Sequence, residues 1–412
     1  MPFHRHVLPN GLTVIGETMP SSRSVALGFF VKTGSRDESN DESGVSHFLE
    51  HMVFKGTPKR SALQVNVDFD RIGADYNAFT SEENTVFYAA VLPEYLPQAT
   101  DILADILRPS LRTDDFDMEK KVIIEEIGMY DDKPTWCAYD HARKQFFAEH
   151  PLGNSILGTP QSITDLTADQ MRTYFDRRYI GSNITAVAAG NFDFDAFVKL
   201  VEDRCKDWPK GDAPRQRVYE AKSNPAFGLM TREKVTQEHV YLISPGPTAD
   251  SPLRVAAETL SMVLGDDSNS RLYWSLVDPG LAESADVSFH EYEGAGTFFT
   301  SFSSDPENVE EILAIIRAEF AKAQSDGITE AELATAKSKI LSRIVRGSER
   351  PMGRMQALGM HWTYQNAYRS VDDDLRDFDA VTLAQVREVL DRYPLTNPAV
   401  FALGPLKEVA RS

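Results

Sequence analysis

The chain carries one pattern twice. Thr167-Ala-Asp-Gln-Met-Arg opens on a residue suited to an N-cap and places Gln170 three positions later, the reciprocal arrangement of a capping box. Thr382-Leu-Ala-Gln-Val-Arg repeats it with Gln385. The first predicted helix runs on to Asp176-Arg-Arg-Tyr, the second to Asp391-Arg-Tyr. Each leads into an apolar, strand-like run that ends in glycine: Asn183-Ile-Thr-Ala-Val-Ala-Ala-Gly190 and Asn397-Pro-Ala-Val-Phe-Ala-Leu-Gly404. Order and spacing agree at an offset of about 214 residues. So long a period fits a duplicated domain rather than a solenoid, whose units are roughly 20–50 residues.

The 412 residues are too many for one ordinary domain. The seam falls at Trp208-Pro-Lys-Gly-Asp-Ala-Pro-Arg215, rich in Pro, Gly and charge, so the domains are drawn as 1–215 and 216–412. Val25-Ala-Leu-Gly-Phe-Phe-Val and Thr85-Val-Phe-Tyr-Ala-Ala-Val read as strands. Asn308 to Ala323 reads as a helix with Val309, Ile312, Ile316 and Phe320 on one face, and Thr329 with Glu332 caps another. Helices between strands in both halves predict the α+β class.

Hydrophobic residues at 42% and charged residues at 25% allow a core large enough to hold a buried site. No apolar run reaches the 18 or so residues of a membrane span. The opening Met1-Pro-Phe-His-Arg-His-Val-Leu-Pro-Asn lacks an apolar signal core, which predicts a cytoplasmic location. A net charge of −19 argues against nucleic acid and anionic membrane as partners and fits solubility; a weaker reading is attraction of basic peptides. Cys137 and Cys205 are too few for a disulfide framework in so long a chain and read as reduced, partly buried thiols.

The informative segment is His47-Phe-Leu-Glu50-His51. On a helix, positions i, i+3 and i+4 share one face, so two imidazoles and a carboxylate point the same way. Phe48, Leu49, Met52 and Val53 cover the other sides and bury the helix. Two imidazoles one turn apart both reach a single Zn²⁺ at about 2.0–2.1 Å. Glu50 beside them is placed to deprotonate a water activated by the metal, the H-x-x-E-H order of inverzincins. Isolated polar groups beside a core would be costly without a metal or partner. A catalytic zinc needs a third protein ligand. Met118-Glu-Lys-Lys-Val-Ile-Ile-Glu-Glu-Ile-Gly-Met-Tyr reads as a second helix, with Val122, Ile123 and Ile127 as its apolar stripe. Glu119 and Glu126 nearly superpose on one face, while Glu125 points about 100° away; spacing leaves Glu125 and Glu126 both open.

These residues resemble the M16 metallopeptidases, the family of pitrilysin, insulin-degrading enzyme and the mitochondrial processing peptidase. The resemblance rests on His47-Phe-Leu-Glu-His-Met-Val-Phe-Lys-Gly-Thr57, Asn77-Ala-Phe-Thr-Ser-Glu-Glu-Asn-Thr85, Glu119-Lys-Lys-Val-Ile-Ile-Glu-Glu126, Pro151-Leu-Gly-Asn-Ser-Ile-Leu-Gly-Thr159 and Tyr179 to Gly190. The family separates its second His from the last ligand by 74 to 76 residues; here 74 lie between His51 and Glu126, which selects Glu126. The resemblance implies Zn²⁺ on His47, His51 and Glu126, Glu50 as catalytic base, and Glu119 behind the ligands. It also implies two homologous domains of the LuxS/MPP-like type, each a mostly antiparallel sheet packed with helices. The short length looks like the M16B type, in which two such chains pair as a homodimer, or as a heterodimer with a homologous subunit. Asn77, Ala78 and Phe79 match the edge strand onto which a peptide substrate adds as a further strand.

One segment departs from the family pattern. Active members carry an Arg and a Tyr in the C-terminal domain that contact the substrate carbonyl and the transition state. Here Ser270-Arg-Leu-Tyr-Trp-Ser-Leu-Val-Asp-Pro-Gly-Leu-Ala-Glu283 places Glu283 at the Tyr, and Val277, or Leu276 by strict counting, at the Arg. An acid there repels a developing oxyanion. Three readings follow: a zinc endopeptidase acting on peptides and unfolded segments, a catalytic-type subunit completed by a homologous partner, and a non-enzymatic subunit that binds peptide or a partner. The last type loses metal ligands in the family, and this chain keeps all of them.

Overall fold

The structure, a computed structural model, describes residues 2–215 and 225–409. The chain forms two compact units: Met1–Ile127 with Asn154–Gln216 and Val345–Ser370, and Gly128–Gly153 with Arg217–Ile344 and Val371–Ser412. The boundary drawn from sequence at 215/216 abuts the segment 216–224, which lies outside the described residues.

The first unit is built on β1 (Phe3–Val7), β2 (Thr13–Thr18), β3 (Val25–Val31), β4 (Asp75–Thr80), β5 (Thr85–Val91) and β6 (Ile184–Gly190), in the sheet order β1-β2-β6-β3-β5-β4. The second has β7 (Phe227–Thr231), β8 (Glu238–Pro245), β9 (Ser284–Tyr292), β10 (Ala295–Ser304) and β11 (Ala399–Gly404), in the order β7-β11-β8-β10-β9. Leaving β1 aside, the orders correspond strand for strand. Each sheet has one parallel pair, β2 with β6 and β7 with β11, and is otherwise antiparallel. In both units the capping-box helix recognised in the sequence, Ala168–Arg178 or Leu383–Arg392, precedes the strand that completes the parallel pair. The fold is α+β with two domains of one topology.

Side-chain alternation along β3 shows why it reads as continuously apolar. Val25, Leu27, Phe29 and Val31 enter one core, Ala26 and Phe30 the opposite one. The first core is closed by the helix Val45–Val53 and its neighbours, and the second by Met355, Leu358 and Trp362 of the helix Pro351–Gln365. That helix comes from the second half of the sequence. A Cβ at Gly359 would stand 2.2 Å from the Phe30 ring, so the missing side chain permits the close approach. A buried ion pair between Arg354 and Glu17 fastens it further. The second unit borrows in the other direction. The helix Pro134–Phe147 lays Cys137, Ala138, Ala142 and Phe146 against Ile243, Phe299 and Phe401, and Gln145 Nε2 donates to the carbonyls of Ala226 (2.8 Å) and Val400 (3.0 Å). Cys137 and Cys205 are both free and buried.

Candidate metal centre

The helix Val45–Val53 begins after Gly44, whose φ of 90° favours glycine. Its first amides need acceptors, and the buried Glu38 supplies them: Gly44 N donates to Oε2 at 2.7 Å and Ser46 N to Oε1 at 2.8 Å. Burial nevertheless pushes Glu38 up to about 8, against the pull of those amides. Phe48, Leu49, Met52 and Val53 are buried, as the spacing predicts, which fixes the rotation of the helix and brings His47, Glu50 and His51 out on its other face.

The second helix, Thr113–Asp131, buries Phe116, Glu119 and Ile123. Val122 is 47% exposed and leaves the predicted stripe, because the helix turns its Ile123 and Ile127 side to the core. The same rotation exposes Glu125 and carries Glu126 toward the first helix. Glu126 Oε2 lies 3.4 Å from His51 Nε2, and Oε1 lies 3.9 Å from His47 Nε2. One ligand atom from each of His47, His51 and Glu126 fits within a 4.8 Å span, the one such group of three or more among the described residues. Tetrahedral zinc with bonds of about 2.0–2.2 Å separates neighbouring donors by roughly 3.3–3.6 Å; the donor types suit that ion, the 3.4 Å pair already fits, and the 3.9 Å pair would close slightly on binding.

The surroundings act differently on the two imidazoles: burial works to lower His51, but the bond to Glu119 and the charges of Glu126, Glu119 and Glu50 raise it. Burial, with His51 beside it, pushes His47 down to about 3, which keeps its imidazole neutral near pH 7. His51 Nδ1 is paired at 2.9 Å with Glu119 Oε1, leaving Nε2 toward Glu126, and Lys55 Nζ holds the other oxygen of Glu119 at 2.6 Å. Burial alone would raise Glu119; the bonds to His51 and Lys55 outweigh it and hold the carboxyl below its usual range. Burial raises Glu50, countered by the hydroxyl of Thr80, which donates to Glu50 Oε2 at 2.6 Å. The sequence places Thr80 on the substrate-edge segment but marks neither its bond to Glu50 nor the bond of Lys55 to Glu119. No local signal marks these bonds, since each joins residues far apart in the chain.

Asn77, Ala78 and Phe79 lie on β4, the last strand of the sheet, opposite Tyr88, Phe87 and Val86 of β5. Asn77 is exposed, the other two half-buried. In the second unit, Glu283 is exposed and accepts from Gln237 Nε2 at 2.6 Å. Leu276 is fully buried, and Val277 packs partly buried on the same core. Arg271 is bound to Glu332 by Nε (2.7 Å) and Nη2 (3.1 Å), a structural tie.

Residues 13–160 match the model of insulinase, peptidase family M16, and residues 165–340 the model of the peptidase M16 inactive domain. An uncharacterized zinc protease of Mycobacterium tuberculosis is 33% identical over 407 residues, 97% of this chain and 93% of that protein. The chain belongs to peptidase family M16. A second relative of this M16 chain, the uncharacterized zinc protease YmxG of Bacillus subtilis, is 33% identical over 389 residues, 93% of each chain. The M16 fold is matched by the crystal structure of a protease from Helicobacter pylori, with a TM-score of 0.91 at 22% identity, covering 98% of this chain and 99% of that one. No described helix of this M16 chain is long and apolar enough to cross a membrane.

Proposed function

We propose that the protein is a zinc-dependent endopeptidase that cleaves peptides or unfolded segments bound as an added strand along β4. The observation that carries this reading is the convergence of His47, His51 and Glu126 beside Glu50. Zn²⁺ on those three ligands supplies Lewis acidity for amide hydrolysis. Glu50 takes the proton of the attacking water and returns it to the leaving amine, with one carboxylate oxygen held by Thr80. Glu119 orients His51 and keeps its Nε2 free for the metal. The backbone of Asn77, Ala78 and Phe79 offers edge hydrogen bonds to an extended peptide. Backbone pairing tolerates sequence but demands an unfolded strand, so folded domains are poor substrates. Homologous halves at 1–215 and 216–412, with segments Gly128–Gly153 and Val345–Ser370 exchanged between the compact units, and a cytoplasmic location complete the proposal.

A second reading is favoured by Glu283 and Val277, which leave no Arg or Tyr donor at those positions, and by the match to the inactive-domain model. In it the chain is a catalytic-type subunit that gains full activity from a homologous partner, as opposed to a homodimer active by itself. A peptidase assay of the purified, zinc-loaded chain on a mixed peptide pool, with and without chelator, separates these two readings from each other, and metal content separates both from a non-enzymatic one. Glu50→Gln is expected to keep one zinc per chain and lose hydrolysis, whereas His51→Ala or Glu126→Ala loses the zinc. A Glu50→Gln protein that sheds its metal would show the roles to be misassigned.

A further inference from the structure

The turn that follows Thr80 is held from several sides. Ser81 N donates to Asn84 O at 2.8 Å, and Asn84 N to Ser81 Oγ at 3.1 Å, closing β4 onto β5. The loop Gly34–Asp37 lies against this turn, backbone on backbone. Ser35 N donates to Ser81 O at 3.3 Å and Arg36 N to Glu82 O at 2.9 Å. A Cβ at Gly34 would meet Ser81 O at 2.2 Å, so a side chain there would force the two segments apart.

Charged side chains then lock the contact. Glu83 pairs with the guanidinium of Arg36 and lies 3.4 Å from Arg215 Nη1. Arg215 Nη2 donates to Glu83 O at 2.6 Å and to Asp37 Oδ2 at 2.8 Å, and its Nε donates to Asp37 Oδ1 at 3.0 Å. Arg178 Nη2 approaches Asp37 Oδ1 at 3.1 Å. None of these five side chains is more than 4% exposed. Desolvating five charges is a poor route to stability compared with apolar packing, but their paired geometry admits very little displacement.

We infer that this buried cluster, centred on Glu83 and Arg215, is a positioning device for the base. It fixes the turn after β4 so that Thr80 Oγ1 holds Glu50 Oε2 and the carboxylate keeps one orientation. The inference rests on the reading of Glu50 as the base. A base displaced by about 1 Å loses on the order of 10²-fold in rate, so a tether that limits its freedom matters to turnover. Glu83 and Arg215 touch no reacting atom and act through Thr80.

The test uses the full zinc-loaded chain carrying Thr80→Val, Thr80→Ser, Glu83→Gln, or Thr80→Val with Glu83→Gln. All should keep one zinc per chain. Thr80→Val and Glu83→Gln should each lower kcat about tenfold or more with KM changed less, and Thr80→Ser should restore the rate. The double variant should be no slower than its slower parent, because both changes break one contact. In the metal-free protein, amide hydrogen exchange of residues 78–85 should rise in Glu83→Gln, while that of residues 45–53 stays as in the parent. Multiplying kcat losses in the double variant, or an unchanged exchange profile over 78–85, overturns the proposal. Should Glu83→Gln fail to fold, Arg215→Lys, which keeps the charge and loses the two-pronged hold, replaces it. A parent chain that hydrolyses no peptide either alone or with a homologous partner removes the reading of Glu50 as base, and the exchange measurement then decides the clamp by itself.

Discussion

Oε1 of Glu119 stands 2.9 Å from Nδ1 of His51, and Lys55 holds the other oxygen of the same carboxylate at 2.6 Å. The nitrogen of His51 left facing Glu126 is thereby selected by a residue outside the candidate ligand group. Glu119→Gln removes the negative charge behind the imidazole and leaves Lys55 without its counter-ion. Zinc affinity is expected to fall about 10–100-fold, read by competition with a chromogenic chelator. Unchanged affinity would mean that the rotation of His51 is set by packing alone.

Glu283 and Val277 stand where the family resemblance places a Tyr and an Arg. Loss of one transition-state donor typically costs about 10²–10³ in rate. Glu283→Tyr combined with Val277→Arg is therefore expected to raise kcat/KM of the single chain by at least about tenfold, with zinc content unchanged. If the parent chain already turns over peptides rapidly and the double change leaves the rate alone, the departure has no catalytic consequence.

Glu332 links two parts of the second unit: it closes the capping box at Thr329 and binds Arg271. Burial acts to raise its carboxyl, but the bonds from Arg271 and Thr329 prevail and hold it down to about 2. A carboxylate with a folded pKa below its ordinary 4.5 stabilises the fold above that value and loses the contribution as pH falls toward 2. Unfolding midpoints measured from pH 5 to pH 2 should therefore fall more steeply for the parent than for Glu332→Gln, with the two curves converging at the acid end. Parallel curves would place the acid sensitivity elsewhere.

Two glycines within helices should respond to alanine with opposite signs. At Gly359 an added Cβ meets the Phe30 ring at 2.2 Å, and at Gly128 it meets nothing within 4 Å. Gly359→Ala should destabilise by about 1–3 kcal/mol through overpacking. Gly128→Ala should stabilise by roughly 0.5–1 kcal/mol, since it only reduces the freedom of the unfolded chain. Thermal unfolding of both variants decides the point.

The division between sequence and tertiary structure follows the range of the interactions. The shared face of His47, Glu50 and His51 depends only on helical pitch, so five residues of sequence suffice to see it. The duplication was likewise legible, because both copies keep the local start signal of a capping box and the apolar strand after it. The contact that turns Glu126 rather than Glu125 toward the histidines is a different matter. It depends on how the second helix is rolled, and the burial of Ile123 with exposure of Val122 sets that roll. Residue spacing alone left both acids open, and the family resemblance selected one. The exchange of Pro134–Phe147 and Pro351–Gln365 between units was hidden, since an amphipathic helix does not encode which sheet it will cover. Thr80 on Glu50, and the ion cluster of Arg36, Glu83 and Arg215, join residues far apart in the chain. Their partners are chosen by the packing of loops around the sheet, and pairings of that kind exist only once the chain has folded.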